Sequence, residues 1–355
     1  MLHSSLFADT VQLAIDDHLL VLNSAADAFV PVAAQRIPAG ELVLAEDNVA
    51  TLRNAQKALR GDRLKTTRLR HIPFHEYPLR EAPATMDVAL MNMLYQPANS
   101  WMQYGLQLAA YALKPGGRLY VQGAKDRGVL SQAKHMQSLF GNAETLEIHK
   151  GERVICSTVG TRFIASNPRD AIQDAIQDAI NRVPTLFAEG KLDEGTRLLL
   201  EALEVRVTDV ALDLGCGAGF IGAYIAQHAS RGQVTMVDAS LAAVDAARRM
   251  LEQQGLTNAQ VLPGDGAQEL LEQRFDLVVT NPPFHIGGIQ TTAIAERFIR
   301  EAAKVLRPRG RFYLVANRFL KYEPTMRECF KEVEEVGGNT RFKVLRASEQ
   351  SERYE

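Results

Sequence analysis

Two short motifs in the carboxyl half of the chain combine residue types that could bind a nucleoside and a planar amine. The first runs from Asp213 to Gly219 and carries glycine at every second position after an apolar strand. The second runs from Asn281 to Phe284 and reads Asn-Pro-Pro-Phe after another apolar strand. Glycines let the backbone approach a ligand closely, and side-chain and backbone carbonyl oxygens can accept the hydrogens of an amine. Together the motifs predict methyl transfer to an amino group.

The glycine motif suits S-adenosylmethionine better than a nicotinamide cofactor. A dinucleotide site favours Gly-x-Gly-x-x-Gly, which needs glycine where Phe220 stands, although Gly222 leaves a second register open. Asp213 supplies a carboxylate that can neutralise the cationic amino group and sulfonium of S-adenosylmethionine. The helix that follows points its first N–H groups toward the ligand. The predicted donor-binding residues of this loop are Asp213, Gly215, Cys216, Gly217 and Gly219.

Acidic residues end the next two predicted strands in the order that a bound nucleoside requires. Asp238, followed by Ala239, can accept hydrogen bonds from both ribose hydroxyls. Asp265, followed by Gly266, can accept one from the adenine amino group. Each aspartate alone could be a strand-end cap or a turn former. Their ordered series along the chain is what indicates donor binding.

The Asn-Pro-Pro-Phe motif predicts an amine whose lone pair is delocalised into a ring or a carbonyl group. Pro282 fixes the backbone so that its carbonyl points outward beside the Asn281 oxygen. Phe284 can stack on the acceptor, which contributes roughly 1–3 kcal/mol for a nucleobase. Since the reaction then depends mostly on alignment, no strong base is required. We predict that the catalytic residues are Asn281, Pro282, Pro283 and Phe284, with Asn281 also facing the donor.

Polar residues near this edge of the sheet are candidate substrate contacts. His285 follows the motif and is either a base or an incidental loop residue. Beyond the fifth predicted strand, polar and aromatic side chains could hold a phosphate or stack on a neighbouring base. The candidates for substrate binding are Phe284, His285, Asn317, Arg318 and Tyr322.

Composition limits the class of protein. The 355 residues are enough for about two domains, and 46% hydrophobic with 23% charged residues is ordinary for a globular chain. The start of the chain lacks the features of a secretion signal, and no apolar run is long enough to cross a bilayer. Three scattered cysteines indicate neither disulfides nor a metal site. We therefore expect a cytoplasmic protein without a metal, and a net charge of −2 argues against non-specific coating of nucleic acid.

Strand and helix patterns alternate through the carboxyl half, which predicts a parallel sheet. The predicted strands are Asp209–Leu214, Gln233–Val237, Ala259–Leu262, Phe275–Thr280, Arg311–Ala316 and Arg341–Arg346. The predicted helices are Ile221–His228, Leu241–Gln254, Thr291–Val305 and Pro324–Val336.

The amino half repeats this plan with similar spacings, which favours a duplication. Glu46 corresponds to Asp238 and Asn92 to Asn281. We align Asn23–Phe29 with the glycine motif, so that Ala25, Asp27 and Phe29 replace its three glycines. Side chains at those positions would block a ligand, and the first half is expected to be a support or an RNA-docking platform. The predicted boundaries are 1–165 for a degenerate domain, 166–184 for a linker helix and 185–355 for the catalytic domain.

These motifs, with several flanking segments, resemble the class I S-adenosylmethionine-dependent ribosomal RNA guanine-N2-methyltransferases of the RsmC/RlmG type. The flanking segments are Phe187, Leu192–Thr196, Leu198–Leu200, Asn317–Glu323 and Phe342–Ala347. The resemblance implies an α/β fold of two tandem Rossmann-like methyltransferase domains, the first degenerate, and a seven-stranded sheet whose last strand is antiparallel. It also implies a guanine flipped over Asn281, with ribosomal RNA or a ribosomal subunit as the partner. We expect a monomer, although no motif specifies the oligomeric state.

Several readings stay open at this point. We expect methylation of the guanine N2 amine in small-subunit ribosomal RNA. The alternatives are a large-subunit target, adenine-N6 methylation of nucleic acid, methylation of a glutamine side-chain amide in a protein, and a non-catalytic RNA-binding assembly factor. The second half keeps Asp213, Asp238 and Asn281, which argues against a non-catalytic factor. The amino half shows how such motifs change once the activity is lost.

Overall fold

The chain divides into two compact units, Met1–Asn181 and Arg182–Glu355. Their coordinates come from a computed structural model that describes residues 6–59, 68–160, 193–283, 285–286, 289–290 and 292–351. The predicted linker helix at 166–184 lies outside the described residues. Within the described part, none of the helices combines the length and hydrophobicity that a membrane crossing requires.

The first unit is built around a mixed sheet of seven strands. They are β1 (His18–Leu22), β2 (Glu41–Ala45), β3 (Arg68–Ile72), β4 (Met86–Asn92), β5 (Leu113–Ala124), β6 (Glu144–His149) and β7 (Glu152–Thr158). The helices are α1 (Phe7–Thr10), α2 (Phe29–Arg36), α3 (Val49–Leu59), α4 (Tyr77–Arg80), α5 (Asn99–Ala112) and α6 (Val129–Phe140), with single 3-10 turns at Phe74–Glu76, Met93–Tyr95 and Lys125–Arg127. The strands lie in the order β3-β2-β1-β4-β5-β7-β6, and β7 runs antiparallel to both of its neighbours, β5 and β6.

The second unit contains another mixed sheet of seven strands. They are β8 (Val210–Leu214), β9 (Gln233–Asp238), β10 (Ala259–Pro263), β11 (Phe275–Thr280), β14 (Leu306–Asn317), β15 (Phe330–Gly338) and β16 (Phe342–Gln350), while β12 (His285–Ile286) and β13 (Ile289–Gln290) form a separate hairpin. The helices are α7 (Glu194–Ala202), α8 (Phe220–His228), α9 (Leu241–Gln253), α10 (Ala293–Val305) and α11 (Glu323–Cys329). The order is β10-β9-β8-β11-β14-β16-β15, with β16 antiparallel to both neighbours.

Apolar clusters cover both faces of the second sheet. Leu212 and Leu214 of β8 pack with Phe298 of α10 on one face. Ala211 of the same strand packs with Ile225 of α8 on the other. Burial on both faces explains why β8 and β11 read as nearly continuous apolar runs. The sequence predictions for these strands and for α8, α9 and α10 are correct to within a few residues.

The predicted helix Pro324–Val336 is wrong in its second half. Helix α11 ends at Cys329, and the following residues form the edge strand β15. Valines three positions apart in a charged segment produce a helix-like pattern. Cross-strand contacts with β16 decide the structure instead, since Arg346 Nε donates to Glu334 Oε1 at 2.8 Å and Ser348 Oγ donates to Glu332 Oε2 at 2.8 Å.

The two units share one strand order, and their registers correct the alignment made from sequence. Val210 N donates to Asp276 Oδ2 at 3.0 Å in the second unit, and His18 N donates to Asp87 Oδ2 at 2.9 Å in the first. His18 is therefore the counterpart of Val210. Counting along the paired strands then matches Asn23 to Gly215, Ala25 to Gly217 and Asp27 to Gly219. The predicted alignment of this loop was wrong by two residues, whereas the pairing of Asn92 with Asn281 is correct.

Candidate functional site

The glycine loop leaves β8 and enters α8 through three residues in the left-handed region of backbone conformation. The φ values of Gly215, Gly217 and Gly219 are +69°, +55° and +91°, which favour glycine. A Cβ added at Gly219 would come within 2.9 Å of Ala247 and Met236, so this glycine permits close packing. A Cβ at Gly217 would meet nothing within 4 Å. At Gly217 the backbone of the loop therefore faces open space with no side chain over it.

Asp238 holds this loop in place from the end of the neighbouring strand. Its Oδ2 atom accepts from Gly217 N at 2.8 Å, and its Oδ1 atom accepts from Ser240 N at 2.8 Å. The backbone oxygen of Val237 accepts from Gly215 N at 2.8 Å and from Cys216 N at 3.0 Å. Asp238 and Ala239 are half-buried. Asp238, the predicted acceptor for the ribose hydroxyls, thus also fixes the conformation of the glycine loop.

Asp213 lies beneath the loop and is fully buried. Its Oδ2 atom accepts from Gly222 N at 2.8 Å, while Oδ1 has no hydrogen-bond partner within the described residues. Burial, opposed by the Gly222 bond and reinforced by the Asp238 charge, raises the pKa of Asp213 to about 7. A buried oxygen without a donor is unfavourable. It fits the predicted role of Asp213, because a cationic ligand would satisfy Oδ1 directly or through water.

The third aspartate of the predicted donor site is fixed by helix α10. Arg297 of that helix forms an ion pair with the Asp265 carboxylate and donates to its backbone oxygen at 3.1 Å. Glu301 accepts from Ala267 N at 2.8 Å. A Cβ at Gly266, whose φ is +70°, would lie 2.1 Å from a Glu301 oxygen. This loop therefore has a fixed shape, in which Asp265 stays partly exposed.

Cys216 is the one cysteine among the predicted donor-binding residues. The side chain is buried, and that burial raises the pKa of the thiol well above its usual range. The thiol is therefore neutral at physiological pH, and it does not supply a nucleophile.

The acceptor motif lies at the same edge of the sheet as the glycine loop. Strands β8 and β11 are parallel neighbours, and Leu214 pairs with Thr280. Thr280 Oγ1 donates to Leu214 O at 2.7 Å, which ties the two strand ends together. Asn281 follows directly and is half-buried, Pro282 is buried and Pro283 is half-buried. The structure thus brings Asn281 beside the predicted donor loop.

The orientation of the Asn281 side chain is set by two residues that the sequence reasoning missed. Its Nδ2 atom donates to Thr196 Oγ1 at 2.9 Å and to Asp193 Oδ2 at 3.2 Å. Asp193 is the N-cap of α7, where its Oδ1 atom accepts from Thr196 N at 3.1 Å. An aspartate followed three residues later by threonine is a recognisable cap signal, but it does not reveal a contact with the second motif.

The remaining predicted acceptor residues have mixed outcomes. Phe284 lies outside the described residues. His285 pairs through its backbone with Gln290 in the β12–β13 hairpin, and its side chain is not described. Asn317 ends β14, and its backbone oxygen accepts from Leu320 N at 3.0 Å.

Two further candidate substrate contacts make contacts within the fold, and the structure contradicts the prediction for one of them, Tyr322. Arg318 forms an ion pair with Glu335 and donates to the Asn339 backbone oxygen at 2.8 Å. Tyr322 is 1% exposed and belongs to the hydrophobic core, so its ring has no surface on which RNA could stack. Its prediction as a substrate contact is corrected on that ground. Between them, Phe319 is 63% exposed and was not predicted.

The Methyltransferase small domain family model matches residues 178–346. Ribosomal RNA small subunit methyltransferase C of Shewanella loihica is 31% identical over 274 residues, which cover 74% of this chain and 78% of that protein. The enzyme of the same name from Pseudomonas entomophila is 31% identical over 274 residues, covering 74% of this chain and 81% of that protein. A solved structure, the T. thermophilus 16S rRNA N2 G1207 methyltransferase (RsmC) in complex with AdoMet and guanosine, superimposes with a TM-score of 0.77 at 28% identity, covering 97% of this chain and 91% of that one.

Proposed function

The chain belongs to the ribosomal RNA small subunit methyltransferase C family, and from this premise we propose that it methylates the N2 amine of a guanine in 16S ribosomal RNA. The enzyme uses S-adenosylmethionine as the methyl donor. The observation that carries the proposal is the position of Asn281, which lies at the sheet edge beside the glycine loop with its NH₂ group engaged by protein. That engagement leaves the amide oxygen to accept a hydrogen from the guanine amine.

The residues of the second unit divide into a donor group and an acceptor group. Bound S-adenosylmethionine supplies an electrophilic methyl group on sulfur. We propose that Asp213, Asp238, Asp265 and the glycine loop bind and orient it, with Asp213 facing its amino group. Asn281 Oδ1 and the Pro282 carbonyl accept the two N2 hydrogens, which favours a pyramidal nitrogen whose lone pair points at the methyl group. The rate then depends mainly on alignment of three atoms.

We propose that the first unit is a degenerate copy that has lost its donor site. Asp27, the counterpart of Gly219, accepts from Asn92 Nδ2 at 2.7 Å through its Oδ2 atom. Asn92, the counterpart of Asn281, also accepts from Leu94 N at 2.9 Å, so its amide oxygen is occupied within the loop. Gln96 donates to the backbone oxygen of Asn23 at 3.1 Å. These contacts support the loss of the donor site. We propose that the unit serves instead as a scaffold or RNA-docking platform, with proposed boundaries at 1–165, 166–184 and 185–355 around the linker.

We propose that Phe319 contacts the RNA next to the target guanine. The residue follows β14, whose neighbour β11 ends at the Asn-Pro-Pro-Phe motif, and its ring is exposed. Arg318 ties the turn to Glu335 and to the Asn339 backbone, while the neighbouring Phe319 ring stays exposed. An exposed aromatic side chain on a fixed turn can stack on an unpaired base. We further propose a monomeric, cytoplasmic enzyme whose partner is ribosomal RNA or a ribosomal subunit.

The test is radiolabelled methyl transfer from S-adenosylmethionine to four substrates: naked 16S RNA, naked 23S RNA, assembled small subunits and total protein. Digestion of the labelled product should yield N2-methylguanosine from 16S RNA, whether naked or assembled. Label in N6-methyladenosine, in a protein amide or in 23S RNA alone would reject the proposal in favour of the corresponding alternative.

A further inference from the structure

We propose that Thr196 and Asp193 are positioning residues for the reaction, which act by fixing the Asn281 side-chain amide in its reactive orientation. The proposal rests on the proposed function, since it assumes that Asn281 Oδ1 accepts a hydrogen from the guanine amine. It extends that function to helix α7, whose first turn carries both residues.

The contacts form a directed chain of hydrogen bonds. Asn281 Nδ2 donates to Thr196 Oγ1 at 2.9 Å, and Thr196 Oγ1 in turn donates to Asp193 Oδ2. Nδ2 also lies 3.2 Å from Asp193 Oδ2. An amide nitrogen has two hydrogens and no acceptor capacity, and a carboxylate has only acceptors. The chain therefore has one consistent direction, which begins at the amide and ends at the carboxylate.

This direction determines which amide atom faces the substrate. If the amide were rotated by half a turn, Asn281 Oδ1 would lie against Asp193 Oδ2, with no hydrogen between the two acceptors. The carboxylate thus selects the rotamer in which the NH₂ group points toward α7 and the oxygen points away from it. An acceptor fixed before the substrate arrives needs no reorganisation during the reaction.

The first turn of α7 is itself held firmly. Asp193 caps the helix by accepting from Thr196 N at 3.1 Å, and Glu194 accepts from Arg341 Nη1 at 3.0 Å. Gly195 packs against Phe342, where an added Cβ would meet ring atoms at 3.4 Å. Thr196 is 6% exposed. The Thr196 hydroxyl, which accepts from the Asn281 amide, therefore belongs to a buried first helical turn that Asp193 caps.

The sharpest variant is Thr196→Val, which removes the hydroxyl, keeps the shape of the side chain and leaves the backbone N–H that Asp193 caps. We expect kcat to fall roughly tenfold, the equivalent of one hydrogen bond in the transition state. The KM for RNA and the Kd for S-adenosylmethionine should change less than twofold. Thr196→Ser keeps the hydroxyl and should restore most of kcat. Thr235→Val is the matched control, because Thr235 is equally buried at 6% and its hydroxyl accepts from Gln260 Nε2 at 3.2 Å, away from the motif.

A double-mutant cycle separates positioning from general damage. In single-turnover assays, Thr196→Val should cost nothing further on the Asn281→Ala background, because the two residues act through one bond. Equal losses in both backgrounds would overturn the proposal, as would a wild-type kcat in Thr196→Val. A loss that appears in the Kd for S-adenosylmethionine would assign Thr196 to donor binding instead. If the wild-type protein itself transfers no methyl group to guanine, the proposed function fails, and that outcome is distinct from all the others.

Discussion

Replacing Asp238 by alanine should abolish tight donor binding while the protein stays folded. The substitution removes an acceptor for both ribose hydroxyls, and hydrogen bonds to a charged group contribute about 1.5–3 kcal/mol each. Two such bonds amount to at least about 3 kcal/mol, which is on the order of a 100-fold increase in Kd. Gly217 N also loses the acceptor that lies 2.8 Å away, so the loop becomes less ordered. Isothermal titration with S-adenosylmethionine measures the affinity directly.

The first unit provides the control for this substitution. Glu46 is the counterpart of Asp238, and it accepts from Ala25 N and from Asn48 N, each at 3.0 Å. Glu46→Ala therefore removes the same two loop contacts in the unit that is proposed to bind no donor. We expect a comparable decrease in melting temperature and an unchanged Kd. Weakened donor binding in Glu46→Ala together with normal binding in Asp238→Ala would refute the assignment of the site to the second unit.

Three further outcomes follow from the site. The ionised form of Asp213 favours a cationic ligand, and burial raises the pKa of this carboxyl to about 7. Donor affinity should therefore fall as pH falls, with a Kd about tenfold higher at pH 6 than at pH 8. Titrations of Asp213→Asn should show no such dependence. Gly217→Ala should weaken donor binding and lower the melting temperature by a few degrees, because its φ of +55° strains an alanine. Gly219→Ala should lower the melting temperature further, because its Cβ would also meet Ala247 and Met236. Phe319→Ala should raise the KM for RNA several-fold and leave donor titrations unchanged; an unaltered KM would remove Phe319 from the RNA interface.

The fold of the second unit could be predicted closely because its strands carry their own signal. Strands buried on both faces must be apolar along their length, and β11 was predicted with both ends correct. An edge strand such as β15 faces solvent, so its composition does not distinguish it from a helix. Its structure depends on contacts with β16, which lies later in the chain. Sequence reading from local periodicity has no access to that information.

The alignment of the two glycine loops failed because it matched residue types rather than strand positions. Asn23 was set against Asp213 as a polar residue near a strand end. Its true counterpart is Gly215, and Asn23 adopts the same left-handed conformation with φ +43°. Asparagine is one of the few residues that tolerates this region. The spacing to the acidic residue was the better guide, since Glu46 follows Val21 by 25 positions, as Asp238 follows Asp213.

The donor and acceptor motifs could be found in the sequence because each is contiguous. The hydrogen bonds of Asn281 to Asp193 and Thr196 could not. Asp193 and Asn281 are 88 residues apart, and they meet only because α7 packs against the sheet beside the end of β11. The function of Asp193 as a helix cap gives a complete explanation of that residue from sequence alone. Nothing in the sequence around Asp193 therefore indicates that it also contacts Asn281.

Comparison of the two units shows which features indicate a ligand site and which indicate only the fold. Glu46 and Asp238 each accept from one backbone N–H of the loop after the first strand of their unit and from the N–H two residues beyond the acid itself. An acid at this position is therefore needed by the turn itself, and its presence alone does not identify a donor site. The two loops differ at their third glycine position, where Gly219 permits close packing against Ala247 and Met236, whereas its counterpart Asp27 bonds to Asn92. Asp27 thereby engages the counterpart of Asn281 within the first unit, although both units keep the same strand order.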